Sequence, residues 1–136
     1  MHCVTNIHED LYWLGASDRR LAKFENVFPI PRGVSYNAYL VLDEKTVLLD
    51  TVDKAVGERF FENLEFALAG RDLDYVVVNH MEPDHCATLG ELLRRWPGVQ
   101  VVANAKTIPM IDQFFDCDVS NRAVVVKEGD TLCTGR

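Results

Sequence analysis

Four side chains able to bind a metal ion fall within six residues of this chain, as His80-x-Glu82-x-Asp84-His85. Imidazole nitrogen and carboxylate oxygen without thiolate form a donor set suited to iron, manganese or zinc, and its oxygen content favours the first two. In an extended stretch side chains two apart share a face, so His80, Glu82 and Asp84 are expected on one side and His85 at a second point. Carboxylates and imidazoles this dense after an apolar strand desolvate and repel one another unless a cation holds them. The competing reading is a capped, solvated loop, with Asp84 as the N-cap and Pro83 as a turn residue. Four side chains cannot saturate two metal ions. His2 and His8 read as ordinary surface histidines. Cys86, at the start of a helix, reads as a packing residue, as free cysteine usually is.

The elements that must position these residues follow from periodicity. Tyr75 to Val78 is a short β-branched run, the pattern of a strand buried on both faces. Leu89, Leu92, Leu93 and Trp96 mark a helix ended by Pro97-Gly98, so the four donors lie between strand and helix, at the carboxyl end where ligand sites of layered α/β domains concentrate. Upstream, Leu11 to Leu14 is a short apolar run, and Tyr36 to Leu42 and Thr46 to Asp50 form a hairpin around Asp43, Glu44 and Lys45. After the Asp53 cap, Val56, Phe60, Leu64 and Leu68 trace one face of a helix stopped at Gly70. Downstream come a strand over Val99 to Ala103, a helix carrying Ile108, Ile111, Phe114 and Phe115 with Pro109 in its first turn, and a strand over Ala123 to Val126. Thr131 to Cys133 reads as the opening of a further strand. Asp18 to Gly33 reads as one long irregular loop. Trp13, Trp96, Phe60, Phe61 and Phe66 are assigned to the core. This order of elements indicates an α/β layered domain.

Composition bounds the function. The 136 residues are 48% hydrophobic and 26% charged, with 14 Lys and Arg against 21 Asp and Glu, a net charge of −7. That is one soluble domain with enough chain to build a core. No apolar run reaches the roughly 20 residues of a membrane span, and the first residues do not read as a signal peptide. Scattered cations give no stripe for a phosphate backbone, which argues against nucleic acid as a partner. Cys3, Cys86, Cys117 and Cys133 form no Cys-x-x-Cys pair, which argues against a zinc ribbon, a thioredoxin-type motif and a disulfide framework and makes a reducing cytoplasm the expectation. No phosphate-binding loop and no Ser-His-Asp triad can be assembled.

The pattern His80-x-Glu82-x-Asp84-His85 after a buried strand resembles the first metal motif of the metallo-β-lactamase fold. In most hydrolases of that superfamily His stands where this chain has Glu82, and Glu at that position resembles the flavodiiron proteins. Leu11-Tyr12-Trp13-Leu14-Gly15-Ala16, Gly33-Val34-Ser35-Tyr36-Asn37-Ala38-Tyr39-Leu40 and Leu48-Leu49-Asp50-Thr51-Val52 carry the same resemblance, which extends over essentially the whole chain.

The resemblance implies that residues 1–136 form the N-terminal half of a metallo-β-lactamase-like αββα sandwich. It further implies two non-haem irons, with His80 and Glu82 on one and Asp84 and His85 on the other. A further His, a bridging carboxylate and a final His would lie downstream of these positions, as would a flavodoxin-like domain carrying FMN. Asp50 would anchor the metal loop from behind, with the opening of a turn as the alternative, and Glu25 falls where the family places a residue near the irons, with a solvated loop glutamate as the alternative. The implied reaction is reduction of O2 to water or of NO to N2O, with electrons from a rubredoxin-like or flavin donor. A hydrolase of the same fold, or a non-catalytic metal-binding or structural module, is the alternative. On this reading the chain stops inside a domain, is inactive alone, retains metal weakly, and leaves one sheet face for another copy to cover in a homo-oligomer.

Overall fold

Apolar alternation and helical periods give way to one another along the chain, and the strands they form are short. In order these are β1 (Thr5–His8), β2 (Leu11–Trp13), β3 (Ala16–Asp18), β4 (Lys23–Phe24), β5 (Phe28–Pro29), β6 (Val34–Tyr36), β7 (Tyr39–Leu42) and β8 (Thr46–Leu49). A 3₁₀ turn (Lys54–Val56) leads into α1 (Gly57–Leu68), followed by β9 (Tyr75–Val77), α2 (Pro83–Cys86), α3 (Leu89–Arg95), β10 (Gln100–Ala103), α4 (Thr107–Phe115) and β11 (Ala123–Val125). This computed structural model describes residues 1–135, and Arg136 lies outside the described residues.

Seven strands form one sheet in the order β1-β2-β7-β8-β9-β10-β11. The first four pair antiparallel, and β8 to β11 are parallel. Each parallel step needs a crossover, and crossovers are right-handed. Because β8, β9, β10 and β11 advance in a single direction, α1, α3 and α4 must all fall on the same face. Phe60, Leu64, Leu68, Leu89, Leu92 and Ile111 from these helices accordingly share one buried cluster with Leu40, Leu48, Val76 and Val101 of the sheet.

The register puts the alternate residues on the opposite face. One row across it runs Trp13, Tyr39, Leu49, Val77, Val102 and Val124, and a second runs Leu11, Val41, Val47 and Tyr75. Among the described residues no helix covers this side, and apart from Val47 and Val102 these residues are only half-buried. The expected half of a layered sandwich is therefore present, with helices on one side and apolar strand residues on the other.

Several expectations need correction. Val76 is buried, but Tyr75 and Val77 on either side of it are half-buried, because only one face of their strand meets helices. The segment Asp18 to Gly33 is not wholly irregular: Phe24 to Val27 closes a tight turn, with Glu25 and Asn26 both left-handed (φ 51° and 59°), and β4 pairs with β5. Phe66 is exposed and stacks on His2, since it points away from the sheet on α1. Phe114 is likewise exposed. Thr131 to Cys133 is not a strand, and Thr134 instead accepts a hydrogen bond from Lys45 N–H at 2.8 Å, beside the turn between β7 and β8.

One buried polar side chain secures the start of the chain. Asn63 of α1 is fully buried and accepts from Cys3 N–H at 2.6 Å while donating to the Leu14 and Gly15 carbonyls at 3.0 and 3.3 Å. Burying such groups is tolerable only when they are paired. Asn63→Ala leaves one backbone donor and two carbonyls without a partner, so it is expected to lower the unfolding free energy by about 2 kcal/mol or more in a urea titration.

Candidate metal centre

Where β8 ends, Asp50 turns the chain with a left-handed backbone (φ 58°) that a side chain with a local hydrogen bond tolerates best. Its Oδ1 accepts Asn79 N–H at 2.7 Å, which ties the end of β8 to the residue that opens the donor loop. Thr51 donates twice to the His85 carbonyl, from N–H at 2.7 Å and from its hydroxyl at 3.2 Å. The buried Thr88 hydroxyl donates to the Val52 carbonyl at 3.0 Å, and Thr88 N–H reaches the same carbonyl at 3.2 Å. Residues 50–52 and 79–88 are thus fixed to each other by hydrogen bonds that each engage a backbone group.

The loop itself does not stay extended. Pro83 occupies the first turn of α2, and the Glu82 carbonyl accepts from His85 and Cys86 N–H at 2.9 and 3.0 Å. Alternation therefore ends at Glu82, which is the N-cap residue in place of Asp84, and the expected grouping of His80, Glu82 and Asp84 on one side is replaced by two pairs. His80 Nε2 lies 3.3 Å from Glu82 Oε2, and His85 Nε2 lies 3.3 Å from Asp84 Oδ2. The two imidazole rings meet edge to face, 5.4 Å between centroids.

These separations have a chemical meaning. Two donors about 2.1 Å from one ion and about 90–110° apart are about 3.0–3.4 Å from each other. Each pair thus has the bite of two ligands on a common ion. His80 and Glu82 are each 53% exposed, so water solvates them and the crowding argument does not require a cation there. The inner pair differs: His85 is 33% and Asp84 22% exposed, and Asp84 Oδ1 and His85 Nδ1 are buried without a hydrogen-bond partner. Asp50 Oδ2 approaches His85 Nδ1 to 3.4 Å, close enough for an ion pair but not aligned as a hydrogen bond. The donor chemistry, imidazole nitrogen with carboxylate oxygen, fits iron. Among the described residues no group of three or more His, Cys, Asp or Glu side chains is placed to hold an ion.

The remaining candidates separate cleanly. Cys86 is buried, and burial, reinforced by Asp50 and Asp84, pushes its thiol up to about 11, so it offers no thiolate. Glu25 is exposed but lines a cavity together with Asp84. His2 is held against Phe66 on α1, and His8 sits exposed on the outermost strand. A cavity of about 800 Å³ lies elsewhere, between β3 and α1, where Asp18 is satisfied by Arg20.

Three residues have contacts here to which the sequence reading assigned no role. Thr51 and Thr88 act through single hydroxyls that no spacing rule marks. Tyr36, 3% exposed, faces the loop from β6; burial, then Asp53, Asp18 and Asp84, push its phenol from an ordinary 10.0 up to about 12. The sign of its effect follows. Below about pH 10 both folded and unfolded phenols are protonated, and above it the unfolded chain ionises first, so stability falls until about pH 12. Tyr36→Phe is expected to remove that alkaline loss, read as unfolding midpoints from pH 9 to 12.

Comparison with known proteins adds the family. Residues 31–134 match the metallo-beta-lactamase superfamily model. The anaerobic nitric oxide reductase flavorubredoxin of Salmonella typhi is 35% identical over 130 residues, covering 95% of this chain and 27% of its own length. Among solved structures, the rubredoxin oxygen:oxidoreductase of Desulfovibrio gigas superposes with a TM-score of 0.90 at 29% identity, over 98% of this chain and 33% of that one. A variant of the flavo di-iron protein from Thermotoga maritima gives 0.85 at 29% identity, over 94% and 32%. The chain thus spans about a third or less of the length of these relatives. With its metal motif, its one-sided α/β sheet and these matches, the chain belongs to the metallo-β-lactamase superfamily and corresponds within it to the N-terminal region of flavodiiron proteins.

Proposed function

We propose that this chain supplies the first ligands of a non-haem di-iron centre at which NO or O2 is reduced. The observation that carries the reading is the pair of 3.3 Å bites, His80 with Glu82 and Asp84 with His85, on one backbone-fixed loop. His80 and Glu82 hold one ion, and Asp84 and His85 hold the other. Bound iron supplies one-electron redox chemistry and a coordination position for a diatomic molecule.

The chain's own residues prepare that chemistry. The Asp50 carboxylate beside His85 Nδ1 favours the tautomer protonated there, which leaves the Nε2 lone pair free toward Asp84. The Thr51 and Thr88 hydrogen bonds hold the backbone of α2 so that this orientation persists. Relatives named as a nitric oxide reductase flavorubredoxin and a rubredoxin oxygen:oxidoreductase support NO or O2 as substrate and a rubredoxin-like or flavin donor as electron source, with FMN in a flavodoxin-like domain of the full protein. Four free cysteines suit a reducing cytoplasm. No helix among the described residues is long and apolar enough to cross a membrane. The half-buried sheet face supports self-association of the chain.

Anaerobic titration with Fe(II) or the spectroscopic probe Co(II) tests the ligand assignment. The 136-residue chain is expected to bind weakly and to lose metal on gel filtration, because each ion has two protein donors. His80→Ala and Glu82→Ala should abolish one class of bound ion, and Asp84→Ala and His85→Ala the other. Asp50→Ala should weaken the second class by about 10- to 100-fold. Protein expressed from the complete reading frame should contain iron and consume NO or O2 when reduced, whereas zinc with ester hydrolysis would overturn the assignment.

A further inference from the structure

The donor loop is tied at Asn79 and again at Glu82, but not between them. Asn79 N–H is held by Asp50 Oδ1 at 2.7 Å, and the Glu82 carbonyl accepts from His85 and Cys86 N–H at 2.9 and 3.0 Å. No backbone hydrogen bond joins His80 or Met81 to another described residue. Backbone of this kind opens readily unless side chains hold it. The exposure along the stretch alternates sharply. His80 is exposed, Met81 is 7% exposed and belongs to the buried core cluster, and Glu82 is exposed again.

Extended backbone turns that burial into direction. Glu82 has φ −85° and ψ 154°, and in extended chain successive side chains point to opposite sides. With Met81 directed into the core, His80 and Glu82 are both directed outward on one side, where Nε2 and Oε2 lie 3.3 Å apart. The other pair is fixed by different means, since α2 and the two Thr51 hydrogen bonds to the His85 carbonyl hold Asp84 and His85. Met81 shares the wall of a cavity of about 340 Å³ with Cys86 and, from α4, Phe114 and Phe115. A truncated side chain here would add its own space to this opening, and the loop would lose its hold.

We propose that Met81 is the positioning residue for the His80–Glu82 pair: its buried side chain pins the part of the donor loop that lacks backbone hydrogen bonds, and thereby turns both donors to one side. The pinning stands on burial and alternation alone. Its consequence for metal binding rests on the reading of His80 and Glu82 as ligands given above. That consequence is preorganisation: two donors already at the separation an ion requires bind it without first ordering the loop.

Two measurements on the 136-residue chain decide it. The His80 and His85 rings lie 5.4 Å apart between centroids, close enough for a nuclear Overhauser effect between their carbon-bound protons. The effect is expected in the wild type and in Met81→Leu, which keeps the apolar volume. It is also expected in Leu92→Ala, which opens the same core away from the loop. Met81→Ala should lose it, with Met81→Val taking its place should the alanine variant not fold by circular dichroism. Absence of the effect from the wild type, its survival in the truncated variant, or its equal loss in Leu92→Ala overturns the proposal. In parallel, the class of Co(II) abolished by His80→Ala should bind about 10-fold more weakly in the truncated variant, while the class abolished by His85→Ala keeps its affinity. Equal weakening of both classes, or of neither, overturns the positioning role. If the wild type binds no Co(II), the ligand reading fails, and the ring contact still decides the pinning.

Discussion

The donor loop is held by an interaction that uses none of the four donor side chains: the hydrogen-bonded seam between residues 50–52 and 79–88. A loop carrying four polar side chains would otherwise sample many conformations, and ordering each residue costs about 1–2 kcal/mol of backbone entropy. The seam removes that freedom before any ion arrives. It exists because β8 and β9 are parallel neighbours, so their carboxyl ends, at Asp50 and Asn79, emerge side by side. Asp50 carries a left-handed backbone of the kind that usually costs free energy, and the Asn79 N–H bond offsets it. A hairpin pairing of the same two strands would send these ends in opposite directions and the donor loop would lose its wall.

Strand direction also decides the layering. Parallel advance with right-handed crossovers places every long helix on one side, which buries Leu48, Val76 and Val101 and leaves Leu49, Val77 and Val102 on the other. The two functions of the sheet separate along its length and across its thickness. Its carboxyl edge presents the donors, its helical face supplies the cohesion, and its second face remains a surface of apolar side chains.

Much of this was legible from residue order. The helix through Phe60, Leu64 and Leu68, the turn at Asp43 to Lys45 and the position of the four donors after a strand are all local signals, and local signals survive folding. Three things were not legible, each for a physical reason. The two-by-two pairing of the donors depends on Pro83 starting a helical turn inside what reads as an extended run. The exposure of Phe66 and Phe114 depends on which neighbours a helix meets, and periodicity reports the apolar stripe without reporting its width. The roles of Thr51 and Thr88 arise from contacts between residues more than 30 positions apart that share no pattern. Asp50 lies between these cases. The family resemblance implied an anchor and its place at a strand end equally implied a turn, and only the fold shows which N–H it takes.

The charge around the loop carries the metal-binding argument one step further. Glu25, Asp50, Asp53, Glu82 and Asp84 converge on the donors, while Lys23 and Lys54 are the cations lining the adjoining cavities. In a chain of net charge −7 such a collar favours cations and repels anions. Each metal ion bound at the loop would neutralise the carboxylates nearest to it, so the repulsion among them falls as the ion enters. The collar therefore makes the loop most strained when empty and concentrates cations there, which is the electrostatic condition the proposed ligand set requires.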